Sequence, residues 1–311
     1  MSEQPHRFGY VALIGKPNVG KSTLLNRIVG QKVSIVSNKP QTTRRKVVGI
    51  ATGPGYQIAF IDTPGIHEPH TQLGRTMVEQ ARKALHDVDV IVYVADGSHH
   101  PDEGDKGIAR LFQGLEVHDL EDPAKFRPIP VLLCMNKMDH LKADNVVRNV
   151  EAYCEILKTQ DYMLTTATVG RNVDKLVEMI ISNLPLGDAQ FDEDTYTDQS
   201  SRFLAGEFVR EKILIATKQE VPHAVAVLID EWSEEEDTDL IRISASIIVE
   251  KASQRAILIG KQGQFVKKIG TEARQEIEAL IGSRVYLELN VKVREGWRMN
   301  PRMLQELEYS E

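Results

Sequence analysis

The chain has 311 residues, 41% of them hydrophobic, with 38 basic against 45 acidic side chains and a formal net charge of -7. That length allows two domains with separate cores, while the absence of any apolar run of about 18 residues excludes a spanning helix. An evenly spread negative charge would argue against nucleic acid, but the charge is not evenly spread.

The polar opening MSEQPH lacks the apolar core of a signal peptide, so no leader is expected. Residues 8–14 read as a buried strand. The run Gly15, Lys16, Pro17, Asn18, Val19, Gly20, Lys21, Ser22 follows, and Thr23 continues into a helix over 21–30. Strand, G-x-x-x-x-G-K-[ST] and helix in that order form a phosphate cradle. Backbone N–H groups and the helix N-terminus face the anion, Lys21 reaches the β/γ-phosphates, and the Ser22 hydroxyl holds Mg²⁺. In the polar stretch after the helix, the pair Thr42-Thr43 offers a hydroxyl that completes the metal shell only while a γ-phosphate is present; Thr43 is chosen over Thr42.

A strand over 46–52 is expected to run antiparallel to one at 57–61, which ends in Asp62-Thr63-Pro64-Gly65. Asp62 can bind Mg²⁺ through water, and Gly65 can offer its N–H to the γ-phosphate. The bland reading of this tetrapeptide is a Pro-Gly turn, which the position after the phosphate loop disfavours. A helix over 72–86, a strand over 89–95, a helix over 103–117 and a strand over 130–135 lead to Asn136-Lys137-Met138-Asp139 at a strand end, where parallel sheets carry their ligand loops. An Asp139 carboxylate accepts from guanine N1–H and the 2-amino group. Adenine would leave it unpaired, so a guanine nucleotide is predicted over ATP. Helices over 143–157 and 172–183 and a short strand over 163–166 complete a mostly parallel sheet with helices on both faces. Cys134 and Cys154 lie in apolar patterns and read as buried thiols; the nine histidines show no metal-ligand spacing.

The first domain is therefore placed at 1–184. Residues 185–198, with Asp188, Asp192, Glu193, Asp194 and Asp198, read as an acidic linker. The second domain, 199–293, is expected as a helix over 199–216, a strand over 224–230, an exposed acidic connection over 231–239, a strand over 240–250, a helix, a glycine loop, a helix to about 280 and a strand over 284–293. Gly260-Lys261-Gln262-Gly263 between two helices matches a G-x-x-G loop that clamps single-stranded backbone. A lone GxxG is usually a plain turn; here the stretch 251–268 holds five basic residues and no acidic one, a local field suited to RNA. Ile257, Phe265, Lys267 and Lys268 are candidate groove residues. In the tail, 294–311, Arg298 is a further RNA candidate, and Trp297 reads equally as a base-stacking or a packing group.

The order GKPNVGKS, TTR, DTPG, NKMD, GKQG resembles the Era family of bacterial GTPases over nearly the whole chain. The resemblance implies a Ras-like P-loop GTPase domain (α/β) followed by an α+β type II KH domain. It implies hydrolysis of GTP to GDP with Mg²⁺, binding to the 3′ end of 16S rRNA and to the 30S subunit, and a role in small-subunit assembly. Gly15 to Thr23, Thr43, Asp62 to Ile66, Asn136 to Asp139 and Thr166-Ala167 would contact nucleotide or metal, the last pair standing where the family usually has Ser-Ala. Ile66 occupies the place of the water-positioning Gln of Ras-like proteins, a replacement the family shares, so slow intrinsic turnover follows. Asn18 is implied beside a K⁺ ion. A cytoplasmic protein with weak peripheral attachment to the inner face of the membrane is implied, with no DNA and no obligate protein partner. A metabolic or tRNA-modifying enzyme would show a reactive cysteine in a polar loop; neither cysteine here lies in one.

Overall fold

In a computed structural model of the chain, the described residues are 6–66, 69–120, 122, 124–140, 145–235 and 238–309. The opening hexapeptide up to Pro5, the start of the expected 143–157 helix, and Glu236 and Asp237 of the acidic connection lie outside them. The chain forms two compact units. The first comprises Met1–Ser34, Thr43–Glu68 and Met77–Asp198, and the second Ile35–Thr42, Pro69–Thr76 and Gln199–Glu311.

The first unit is a six-stranded sheet. In chain order it contains β1 (Arg7–Ile14), α1 (Lys21–Val29), β2 (Val47–Gly53), β3 (Tyr56–Asp62), the part of α2 (Gln72–Lys83) from Met77 on, β4 (Val90–Asp96), α3 (Glu103–Ala109), β5 (Glu116–His118), β6 (Phe126–Pro128), β7 (Val131–Asn136), α4 (Val146–Leu157), β8 (Tyr162–Leu164) and α5 (Val173–Asn183). The strand order is β2-β3-β1-β4-β7-β8. β2 is antiparallel to β3, as expected, and the other neighbours are parallel. Both faces are buried. Ile91, Tyr93 and Ala95 of β4 enter one core, and Val90, Val92 and Val94 enter the other. This is the strand period of two with apolar side chains on both sides.

Two expectations change. The helix expected over 103–117 ends at Ala109, and residues 116–118 instead pair with 126–128 as a small hairpin. The helix is short because its start is well fixed but its continuation is not: Asp102 and Asp105 form a capping box, whereas Gly107 and Gly114 lower the helical preference beyond it. The stretch expected as an acidic linker is fastened to the first unit. The fully buried Gln57 accepts from the N–H groups of Gln190 (2.8 Å) and Phe191 (2.9 Å) and donates to the Phe191 carbonyl (2.9 Å). Further along, Ile50 N–H donates to the Tyr196 carbonyl at 2.9 Å, and Thr197 Oγ1 donates to the Val48 carbonyl at 2.6 Å. The segment thus covers part of the β2 edge, whose open N–H and C=O groups would otherwise invite pairing.

The second unit contains α6 (Ser201–Ala216), α7 (Val221–Ala224), β9 (Ala226–Glu234), β10 (Leu240–Val249), α8 (Ala252–Ile259), α9 (Gln264–Ile281), β11 (Arg284–Val293) and α10 (Pro301–Glu306). The sheet order is β11-β10-β9, with β10 parallel to β11 and antiparallel to β9. The Ser200 side chain caps α6 by accepting from Phe203 N–H. Leu204, Phe208, Val209 and Ile213 on α6 and Ile269, Ala273 and Ile277 on α9 share one core with the inward residues of the sheet. The acidic run expected as a connection in fact extends β9 to Glu234, because Trp232 keeps packing against that core.

Candidate nucleotide site and RNA-facing cleft

The nucleotide motifs meet at the ends of β1, β3 and β7. α1 starts directly from Gly20, whose φ of +101° and distance of 2.3 Å from an added Cβ to Asn136 Nδ2 leave room for no side chain. Lys21 is buried, and its Nζ donates to the carbonyls of Gly15 (3.0 Å) and Lys16 (2.9 Å). Burial lowers its pKa to about 8, against the opposing pull of Asp62. A cation in this condition is satisfied by an incoming phosphate, which supplies the missing negative charge.

Asp62 is fully buried. Its Oδ2 accepts from Ser22 Oγ (2.7 Å) and Ser34 Oγ (2.9 Å), with Thr43 Oγ1 at 3.4 Å. Its Oδ1 has no hydrogen-bond partner among the described residues, and burial pushes the carboxyl pKa up, against Lys21 and the three hydroxyls. Ser22 Oγ and Thr43 Oγ1 are 2.9 Å apart. Two hydroxyls and a carboxylate with a vacant oxygen are hard donors of the kind Mg²⁺ takes; the ion would supply charge that draws electron density from the phosphate oxygens. Thr42 takes no part in this cluster: its hydroxyl is bonded to Ser37 Oγ and to the Lys39 carbonyl. Of the two threonines, Thr43 is the one whose hydroxyl lies beside Ser22 and Asp62.

At the other end, Asn136 is 2% exposed and ties two loops together. Its Nδ2 donates to the Val19 carbonyl at 2.9 Å, and its Oδ1 accepts from Ala167 N–H at 3.0 Å. Lys137, at φ +60°, has its Nζ 2.8 Å from Asp96 Oδ2. The Asp139 side chain is half exposed, its one ion-pair partner among the described residues being the His140 imidazole at 3.5 Å, which leaves room for an incoming base. Thr166 and Ala167 are buried, held by an antiparallel bridge from Thr166 to Arg171, and Arg27 braces the loop by donating to the Thr168 carbonyl at 2.7 Å. Gly65 lies directly against Pro17, and Ile66 N–H points to the Gly15 carbonyl at 3.4 Å, while the Ile66 side chain packs on the core. At the position of the water-positioning Gln stands Ile66, whose side chain cannot hydrogen-bond a water.

Asp96, Ser34, Arg27 and Asn26 were not among the residues singled out from the sequence. Asn26 holds Ser34 in place through Ser34 N–H to Oδ1 at 2.9 Å. Each is a polar residue beside, not inside, a recognisable motif; its partner is 8 to 141 positions away along the chain, so no local pattern reveals it. Cys134 is buried, with its thiol pushed up to about 12 by burial, and Cys154 is half-buried rather than buried. Neither has the character of a nucleophile.

In the second unit, Gly260 (φ +69°) ends α8, and residues 261–263 make one 3-10 turn before α9. An added Cβ at Gly260 would lie 2.6 Å from Phe265 Cβ. Lys261, Gln262, Lys267 and Lys268 are exposed, and Ile257 on α8 is 54% exposed, unusual for a large apolar side chain. Phe265 is half-buried against the core. A cleft of about 250 Å³ runs between α9 and β11, lined by Val266, Lys267, Gly270, Arg274, Tyr286 and Leu289. It offers apolar walls, a half-exposed tyrosine and two cations. Arg298 differs from its expected availability, since its guanidinium is 2.5 Å from Glu250 Oε2. Trp297 is a packing group: it is fully buried, donates to the Ala224 carbonyl at 3.0 Å and stacks on Tyr309.

A parallel sheet with a phosphate cradle and a guanine-type Asn-Lys-x-Asp loop, joined in one chain to a G-x-x-G unit, defines a P-loop GTPase carrying a KH domain. Comparison with known proteins agrees. Residues 10–137 match the family model described as a 50S ribosome-binding GTPase, and residues 220–298 match the KH domain model. GTPase Era of Geobacter metallireducens is 43% identical over 310 residues, covering 100% of both chains. That of Leuconostoc citreum is 46% identical over 313 residues, covering 100% of this chain and 99% of the other. A crystal structure of Era in complex with MgGDPNP and nucleotides 1506–1542 of 16S ribosomal RNA superposes with a TM-score of 0.90 at 40% identity, covering 98% of this chain and 100% of that one. Aquifex aeolicus Era bound to GDP and aluminium fluoride, a point variant, gives a TM-score of 0.88 at 39% identity over 98% of this chain and 100% of that one. The chain belongs to the Era family of GTPases: it binds and hydrolyses GTP with Mg²⁺, and its second domain is a KH domain.

Proposed function

We propose that this GTPase acts in the cytoplasm as a nucleotide-controlled binder of the 3′ end of 16S rRNA and of the 30S subunit during small-subunit assembly. The observation that carries this reading is the glycine loop beside the α9–β11 cleft, set in a stretch with five basic and no acidic residues although the chain as a whole is at -7. A KH loop holds phosphate while unpaired bases lie along an apolar groove. The similar Era structure contains nucleotides of 16S ribosomal RNA. The 50S in the family description belongs to a match over residues 10–137 only and does not bear on the RNA taken by the second unit.

In this reading Gly15 to Thr23 cradle the phosphates, and Ser22, Thr43 and, through water, Asp62 hold Mg²⁺. Lys21, Thr43 and the Gly65 N–H stabilise charge on the γ-phosphate as the β–γ bond breaks. Asn136 to Asp139 and Thr166-Ala167 hold the guanine. Ile257, Lys261, Gln262, Phe265, Lys267 and Lys268 contact RNA, with Gly260 and Gly263 allowing close approach. Arg298 would join them only on release from Glu250. A K⁺ ion beside Asn18 would show as hydrolysis faster in K⁺ than in Na⁺. No helix among the described residues is long and apolar enough to cross a membrane, and peripheral attachment would show as flotation with anionic vesicles.

The test is filter binding of a 16S 3′-end fragment with a GTP analogue and with GDP, over a range of salt. Tighter binding in one nucleotide state, with a salt slope lowered by Lys261→Ala, is expected. Equal affinity in both states would refute the coupling, and no preference over unrelated single strands would refute the target.

A further inference from the structure

The phosphate-loop residue Lys16 does not point into the cradle. Its ammonium lies 2.6 Å from Oδ2 of Asp105, in the first turn of α3, and 2.6 Å from Oδ1 of Asp102, the N-cap of that helix. The two carboxylates differ. Asp102 is mostly exposed, but the Asp105 side chain is only 3% exposed. Its second oxygen accepts from the hydroxyl of the fully buried Tyr93 on β4 at 2.7 Å, and Oδ2 also accepts from Asp102 N–H at 2.9 Å. A buried carboxylate is costly unless every oxygen is engaged, and here every partner is in place.

The residue so fixed is one of the two whose carbonyls hold Lys21. Its neighbour Pro17 is the surface against which Gly65 packs: an added Cβ at Gly65 would lie 2.7 Å from Pro17 N and Cα. The Gly15–Pro17 segment is thus the floor under Gly65, which on the function proposed above answers to the γ-phosphate, whereas Gly20 to Ser22 open α1, whose N-terminal amides suit the phosphates common to GDP and GTP.

We propose that Asp105 is a positioning residue for GTP hydrolysis, acting through Lys16 to hold the Gly15–Pro17 floor on which Gly65 must seat when the γ-phosphate is present. Burial works against the Lys16 charge, yet the hydrogen bonds it donates to Asp102 and Asp105 keep it above its ordinary range. Burial also pushes the Tyr93 phenol up, so it stays a hydrogen-bond donor to Asp105.

The test compares Asp105→Asn, Lys16→Met and their double variant with the parent, using the full chain. Turnover at saturating GTP, the Kd for GDP and thermal unfolding are measured together. Asn keeps an acceptor for the α3 cap, so the cap itself is not the variable. Expected for both is a loss in kcat of about 10- to 100-fold, as for a misplaced catalytic loop; for Asp105→Asn, which lies outside the cradle, GDP affinity stays within about twofold of the parent. The double variant should fall no lower than the deeper single, because the two side chains act as one unit. Lys16→Arg, which keeps the charge, should recover most of the turnover. The proposal is overturned by an unchanged kcat in Asp105→Asn and Lys16→Met. It is also overturned by a kcat and a GDP affinity that fall in step with thermal stability, which is the signature of a merely structural cap, or by losses that add in the double variant.

Discussion

Truncation of Asn136 to alanine tests the idea that one buried amide makes the phosphate loop and the base loop a single site. The side chain gives two good hydrogen bonds, to the Val19 carbonyl (2.9 Å) and from Ala167 N–H (3.0 Å), at residues that are 6% and 3% exposed. The weaker bond from Thr165 Oγ1 (3.3 Å) has a substitute in the Met135 carbonyl and is not counted. An orphaned buried polar group costs about 1–3 kcal/mol. The space vacated lies between polar groups and can admit water, so the lower part of that range applies to each, about 2–3 kcal/mol in all. If the loss falls on the site, GDP affinity drops roughly 30- to 150-fold at 1.4 kcal/mol per factor of ten. Titration calorimetry with GDP, alongside thermal unfolding of the nucleotide-free protein, divides the loss between binding and stability. A Kd within threefold of the parent with an unshifted unfolding temperature would refute the reasoning, since the two orphaned groups would then have cost nothing.

Asp139→Asn replaces an acceptor by a donor at the guanine edge: GTP affinity should fall by about two orders of magnitude or more, and xanthosine triphosphate, with a carbonyl at position 2, should compete better than for the parent; competition assays decide. Gln57→Ala removes four hydrogen bonds, three of them to residues 190–191, so limited proteolysis should cut within 185–198 sooner and stability should drop by about 2–4 kcal/mol, with GDP affinity unchanged. In the KH domain, Gly260→Ala meets Phe265 Cβ at 2.6 Å, whereas Gly263→Ala meets nothing within 4 Å. Fluorescence anisotropy with a single-stranded RNA should therefore show a larger loss for Gly260→Ala. Equal losses would mean that the backbone angle alone, φ +69° and +74°, governs the loop.

The phosphate loop, the Asp62 strand end and the Asn136 loop were legible because each is a short motif bounded by an apolar strand. The two glycines and Lys21 announce their chemistry within eight residues. Helix α9 and strands β10 and β11 were equally plain from their periodicity. The 116–118 hairpin and the length of β9 were not, because three-residue strands carry no period, and an acidic run does not tell a solvated strand from a loop. Arg298 and Trp297 looked alike as tail residues flanking one another. Only a partner distant in sequence, Glu250 for one and the Ala224 carbonyl for the other, separates them.

Sequence alone thus determined the identity of the nucleotide, the order of the domains and the position of the KH glycine loop, since each depends on residues close together in the chain whose backbone and charge act locally. Tertiary structure decided which threonine lies beside Ser22 and Asp62, that Asn136 joins Val19 to Ala167, that residues 196–197 pair along the β2 edge, and that Lys16 is turned toward Asp105. Those outcomes rest on buried polar groups finding partners tens of residues away, a pairing enforced by the cost of leaving them unsatisfied and invisible until the sheet brings the strands together.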